Sequence, residues 1–197
     1  MVDIIKQYFP LWMFIVLMAS TPGPANLIVM SSGAQNGFKK SIPFTLGVIS
    51  GKLLLNLALL LGLGVILFQY ESVSKILSYI CLIYMIWLAL RGWNNHKKSD
   101  AELKIFKFRD GLFVHPLNPK GWVMCLIAYS EFTTGFEGFF QMYLLIPLSF
   151  FVVQLIFHNA WCFAGSILKK TIGNNSILNR ALIILTILIV VWAVFFI

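Results

Sequence analysis

Six long apolar runs alternate with short polar stretches along the chain. The first runs from about Tyr8 to Ala34 and is interrupted at Thr21-Pro22-Gly23-Pro24. The second covers about Ile42 to Phe68 and the third about Ile76 to Trp93. A charged connector fills Asn94 to Asp110. The fourth run, about Gly111 to Tyr129, is interrupted at Pro116 and at Asn118-Pro119. The fifth covers about Phe139 to Leu168 and the sixth about Ile177 to Ile197. A bilayer-spanning helix needs about 20 apolar residues. Backbone groups in hydrocarbon must bond within their own segment, so runs of this length and polarity predict helices. The pattern predicts an all-α membrane protein with six transmembrane helices, the first and fourth broken by proline.

Composition strengthens that picture. Of 197 residues, 59% are hydrophobic and 11% charged, where a soluble domain carries about 25% charged residues. So little charge cannot coat a water-facing surface, and six spans with short loops leave no room for a second domain. The chain therefore reads as one transmembrane domain over residues 1–197. The net charge of +8 is set by topology. Lys39 and Lys40 lie in the first loop, Arg91, Lys97, Lys98, Lys104, Lys107 and Arg109 in the third, and Lys169, Lys170 and Arg180 in the fifth. Basic residues mark cytoplasmic loops, so both termini are expected outside the cytoplasm. The pattern is no nucleic-acid footprint. Lys6 before the run from Tyr8 imitates a signal peptide, but Asp3 offsets it and the run continues past the prolines, which predicts a retained helix. Cys81, Cys125 and Cys162 stand singly in apolar runs without metal-ligand spacing, so neither a metal nor a cofactor is expected.

The chain also divides into two halves of three spans, about 1–94 and 105–197. Each half opens with a proline-broken helix, continues with a helix carrying polar residues four apart, and ends with a plainer apolar helix. An odd number of spans per half inverts one relative to the other, the architecture of many secondary transporters.

The candidate site follows from the breaks. Pro22 and Pro24 remove two amide donors and free the carbonyls of Met18 and Ser20, while Gly23 adds freedom. A new half-helix starting near Pro24 points its positive end at the break. A packing kink is the alternative. In the fourth span His115, Pro116, Asn118, Pro119 and Lys120 repeat the device, and Asn26 is the counterpart polar group of the first break. Lys52 lies about 15 Å inside the second span, and Lys120 at similar depth in the fourth. A cation at helix centre costs at least about 2.5 to 3.5 kcal/mol, and no carboxylate lies at that depth. Water, an anionic ligand or freed carbonyls must therefore meet these lysines. Asn56 shares a face with Lys52, and Gly47 with Gly51 on the same helix favours close helix contact. Gln154 and His158 repeat the four-residue spacing in the fifth span, followed by Asn159. His158 is the group best suited to proton exchange near neutral pH. No HExxH, GxSxG, phosphate loop or ATPase signature is present, so enzyme chemistry has little support and transport is ion-coupled or passive.

Thr21-Pro22-Gly23-Pro24-Ala25-Asn26, with Gly33 to Gly37 and Gly47 to Gly51, resembles the first half of the LysE/RhtB family of amino-acid exporters. Phe108 to Gly111 followed by Leu117-Asn118-Pro119-Lys120 is similar to that family's second-half motif, so the resemblance covers essentially the whole chain. Asn159-Ala160-Trp161 with Ala164-Gly165 is similar to the cysteine and O-acetylserine exporter branch. One position departs: many members carry an acidic residue directly after the Pro-Gly-Pro, where Ala25 stands here. The resemblance implies efflux of amino acids or close derivatives across the bacterial inner membrane, with proton antiport as the drive. The substrate carboxylate is expected at the half-helix ends with Lys120 or Lys52, and the amine at freed carbonyls with Asn26 or Asn118. An exporter of another small metabolite or ion, and at lower weight a membrane-embedded enzyme, remain as alternatives. A homo-oligomer is left open.

Overall fold

The computed structural model describes residues 2–93, 105–133, 138–172 and 176–196. Most of the charged connector, with Lys97, Lys98 and Lys104, lies outside the described residues, as does Glu137. The described residues are helical with no strand: α1 (Val2–Ser20), α2 (Pro24–Asn36), α3 (Phe38–Leu60), α4 (Leu63–Gln69), α5 (Glu71–Leu90), α6 (Phe108–Leu112), α7 (Pro119–Glu131), α8 (Leu145–Ile172) and α9 (Ser176–Phe196). A π-helical turn, Phe140–Leu144, leads into α8.

Four helices are long and apolar enough to cross a membrane by themselves: Phe38–Leu60, Glu71–Leu90, Leu145–Thr171 and Ile177–Phe195. A fifth crossing is the pair α1 and α2, bent by 49° at the Pro-Gly-Pro. The expected second span stops at Leu60, because Gly62 takes φ 91° and α4 starts afresh behind it. The fourth departs furthest. Only five residues of helix precede its break, turns occupy residues 113–117, and α7 has 13 residues, about 20 Å of helix against a 30 Å hydrocarbon core. The crossing expected at the fourth run is thus not met by one continuous helix.

Two apolar clusters make up the interior. One joins Leu11, Ile15 and Ala19 of α1 to Trp122, Cys125 and Ala128 of α7 and to Ile146, Phe150 and Val153 of α8. The other joins Ala25, Ile28 and Val29 of α2 to Phe44 and Val48 of α3, Met85 and Leu88 of α5, and Cys162 of α8. α1 and α2 therefore serve different clusters, with the break between them. α3 and α8 pass through both, and their polar residues Lys52, Gln154 and His158 fall between the two sets. A buried polar layer is consequently held at the level of the breaks.

Backbone approach fixes this arrangement. A Cβ on Gly33 would lie 2.1 Å from the Cys162 carbonyl oxygen, and one on Gly165 2.0 Å from that of Met30, so α2 and α8 touch backbone to backbone. α3 meets α6 the same way: a Cβ on Gly47 would be 2.1 Å from the Phe108 oxygen, and one on Gly111 2.2 Å from that of Phe44. The glycine pair of α3 thus contacts the short α6. Arg91 locks α6 from the α5 side, with its guanidinium 2.7 Å from the Asp110 carboxylate. Outward faces carry Leu57, Ile83, Ile156 and Leu188, all exposed, as lipid-facing surfaces require.

Candidate functional site at the two helix breaks

Both half-helices begin alike. Pro24 is the first residue of α2 after an extended Gly23, and Pro119 the first of α7 after an extended Asn118. Proline suits that position because its missing amide would have no helical partner there. The Asn118 Oδ1 accepts from the Lys120 amide at 3.1 Å and caps α7. Asn26 works in the opposite sense. Its Nδ2 donates to the Ala19 carbonyl at 2.8 Å and the Thr21 carbonyl at 2.9 Å, bridging back to the end of α1. The Met18 carbonyl, expected bare, accepts from the Thr21 hydroxyl at 3.0 Å. The His115 carbonyl accepts from the Asn118 amide at 3.2 Å. The oxygens presented at the break are instead those of Thr21 and Pro22.

Lys120 joins the two breaks. Its Nζ donates to Thr21 Oγ1 at 2.7 Å and lies 3.4 Å from the carbonyl oxygens of both Thr21 and Pro22. Its stem lies over Gly23, where a Cβ would come within 3.0 Å of Lys120 Cδ. Three neutral oxygens thus surround an ammonium with no carboxylate among its contacts.

His158 and His115 form the inner end. His158 Nδ1 lies 2.8 Å from Asn26 Oδ1, and His158 Nε2 lies 3.1 Å from His115 Nε2. The hydrogen-bond inventory dictates the tautomers. Asn26 spends both amide donors on carbonyls, so its Oδ1 must accept and His158 Nδ1 carries the proton. Neutral His158 then offers a lone pair at Nε2, which His115 Nε2–H fills. His115 Nδ1 remains as a buried lone pair without a partner. Gln154 Oε1 is likewise buried and unpartnered. Met18, Asn26, His115, Asn118, Lys120, Gln154 and His158 line one small cavity of ≈ 20 Å³, about the room of a single water.

Lys52 and Asn56 stand behind this cavity. Lys52 is fully buried, donates to the Gly121 carbonyl at 3.1 Å, and holds its Nζ 4.1 Å above the Phe150 ring. Asn56 Nδ2 donates to the Lys52 carbonyl at 2.8 Å. Of the polar groups expected here, Asn159 is the one turned away, donating to the Leu155 carbonyl of its own helix at 2.7 Å. Successive helical residues point about 100° apart, so His158 facing α2 carries Asn159 off the same face. Thr21, Met124 and Phe150 belong to the neighbourhood although sequence reasoning did not select them as site residues. Thr21 alone had a local signal, as the last hydroxyl before the prolines.

The model of the LysE type translocator matches residues 16–197, which includes both breaks and every residue of the cavity. The chain belongs to this family. Among relatives of this LysE-type translocator is the homoserine/homoserine lactone efflux protein of Salmonella typhimurium, 22% identical over 156 residues, covering 74% of this chain and 76% of that protein. The cysteine/O-acetylserine efflux protein of Escherichia coli is 23% identical over 161 residues, covering 81% of this chain and 82% of that one. No solved structure matches the chain. The translocator is accordingly a multi-pass membrane protein whose two breaks, more than 90 residues apart in sequence, are linked by Lys120.

Proposed function

We propose that this LysE-type translocator is a secondary-active exporter of amino acids or close derivatives across the bacterial inner membrane, coupled to protons and built as two inverted three-helix repeats. The observation that carries the reading is the meeting of the two proline breaks around one polar cavity, with a lysine from one break seated on the oxygens of the other. Inverted repeats place substrate sites at such broken helices. The matching starts of α2 and α7, each with proline at the first helical position, support the repeat. So do the polar residues at the level of the breaks in α3 and α8, the second helix of each half. In this reading α6, the turns and α7 together make the sixth crossing.

The chemistry suits a zwitterion. Carbonyl oxygens of Thr21 and Pro22 accept from an ammonium, and Lys120 offers a cation to a carboxylate. Two relatives are named for efflux of homoserine or its lactone and of cysteine or O-acetylserine. Homoserine, cysteine and O-acetylserine are small zwitterions with uncharged side chains, whereas the lactone lacks the carboxylate, and all are compatible with a small cavity that widens on loading. The proton is assigned to the His115–His158 pair, because His115 Nδ1 accepts a proton without breaking any hydrogen bond of the chain His115–His158–Asn26.

The test is export. Cells overproducing the chain are expected to accumulate one or more small amino acids in the medium relative to cells lacking it, and inverted vesicles to take up the same compound when a proton gradient is imposed. Identical media and no vesicle uptake of any amino acid would refute the reading.

A further inference from the structure

We propose that the oxygens of Thr21 and Pro22 form the subsite for the substrate ammonium, and that Lys120 is an internal occupant which the substrate must displace. The inference rests on the amino-acid exporter reading and names the amine half of its site.

Three observations carry it. First, the Lys120 Nζ has the coordination a primary ammonium seeks: a hydroxyl at 2.7 Å and two carbonyl oxygens at 3.4 Å, all neutral. An –NH₃⁺ has three donors and no acceptor, so a lysine head and an α-ammonium make the same demand of these oxygens. Second, the contact lies at the mouth of the cavity. Thr21 and Pro22 are exposed, Lys120 is half-buried, and its stem forms part of the cavity wall beside Gly23. A cation facing hydrocarbon is strongly disfavoured, so that mouth opens on water and the ammonium is exchangeable. Third, the stem lies directly against residue 23, where a Cβ would come 3.0 Å from Lys120 Cδ and 3.2 Å from Nζ, so the extended Gly23 lets the lysine approach the Thr21 and Pro22 oxygens closely.

Displacement resolves the charge balance. Among the described residues the cavity is lined by no Asp or Glu, so an incoming ammonium must take oxygens already satisfied by Lys120. Once released, the Lys120 cation lies beside the new ammonium and needs an anion. The carboxylate of the same substrate supplies it. An amine without a carboxylate displaces the lysine but leaves two cations unpaired. A carboxylate without an amine leaves the lysine in its cradle. The exchange thus selects molecules carrying both groups.

Binding of n-propylamine and of L-homoserine to the purified protein, measured by titration calorimetry, tests this. If Lys120 fills the cradle 90 to 99% of the time, the apparent affinity of a competing amine is lowered about 10- to 100-fold. Lys120→Met should therefore bind n-propylamine at least about tenfold more tightly than the wild type, and homoserine less tightly. Thr21→Val removes the 2.7 Å oxygen that both ammonium groups would use and should cancel that gain in the Lys120→Met background, whereas a mere relief of charge repulsion predicts that the gain survives. Lys120→Gln takes the place of Lys120→Met if that variant fails to fold. Equal n-propylamine affinity in the wild type and the Lys120 variant, or a gain that survives Thr21→Val, overturns the proposal, while homoserine export by the wild type would leave the exporter reading standing. A gain that Thr21→Val cancels, with no amino acid exported by the wild type, would support the cradle and remove the exporter reading instead.

Discussion

Gly165→Ala offers a test of how helix contact governs the site. Gly165 stands seven residues after His158, two turns along the same face of α8, and Met30 stands four after Asn26 on α2. The contact at Gly165 and the His158–Asn26 hydrogen bond therefore belong to one seam. A methyl at residue 165 would start 2.0 Å from the Met30 carbonyl oxygen, while real Cβ atoms essentially never come within 3.0 Å. The obstacle is backbone on both sides, and no side chain can swing away. The helices must part by at least 1.0 Å. Such a displacement stretches the 2.8 Å His158–Asn26 contact to about 3.8 Å, beyond hydrogen-bonding range. The lost buried bond accounts for about 1 kcal/mol and the overpacking for about 1 to 3 kcal/mol. The variant should insert normally, melt at lower temperature in detergent, and export poorly. Gly33→Ala, with a Cβ 2.1 Å from the Cys162 oxygen, should reproduce both effects from the α2 side. Wild-type melting and wild-type export by Gly165→Ala would show that the seam tolerates separation, and the link from packing to site would fail.

Two further tests address orientation and coupling. Cys81, Cys125 and Cys162 are buried, so single added cysteines can be labelled without background: with both termini outside, Lys40→Cys should be shielded from impermeant thiol reagents in intact cells and Tyr70→Cys labelled, and the reverse would invert the topology. His115→Gln removes the Nδ1 assigned to the proton and should keep homoserine binding but flatten the pH dependence of export, whereas an unchanged profile would move the proton to another group.

What sequence could show here divides by range. The Pro-Gly-Pro and Asn-Pro breaks are legible because proline acts on its own backbone, and the structure starts a helix at Pro24 and at Pro119. The pairing of Gln154 with His158 is legible because four residues make about one turn. How little helix precedes the second break was not, because hydropathy sums transfer preferences and is blind to whether residues 113–117 form a helix or turns. What stops them is α6 packed backbone to backbone on α3 at Gly47 and Gly111, with Arg91 clamping Asp110. The partner of Lys120 was equally hidden, since Thr21 is 99 residues away. Depth alone placed Lys52 and Lys120 together, yet only three-dimensional packing puts one behind α7 and the other at the cavity mouth.

That separation distinguishes the two lysines as candidate counter-ions for the proposed substrate. Lys52 is fully buried between the Gly121 carbonyl and the Phe150 ring, and its own carbonyl is held by Asn56. Reaching it requires α7 to move, because Gly121 lies in the first turn of that helix. Lys120 is held by groups at an exposed edge and swings on a flexible stem. Only Lys120 can therefore change partners without rearranging a helix, while Lys52 is fixed by the Gly121 carbonyl and the Phe150 ring. On the exporter reading, Lys120 is then the group that would meet a substrate carboxylate, and Lys52 a fixed support of α7.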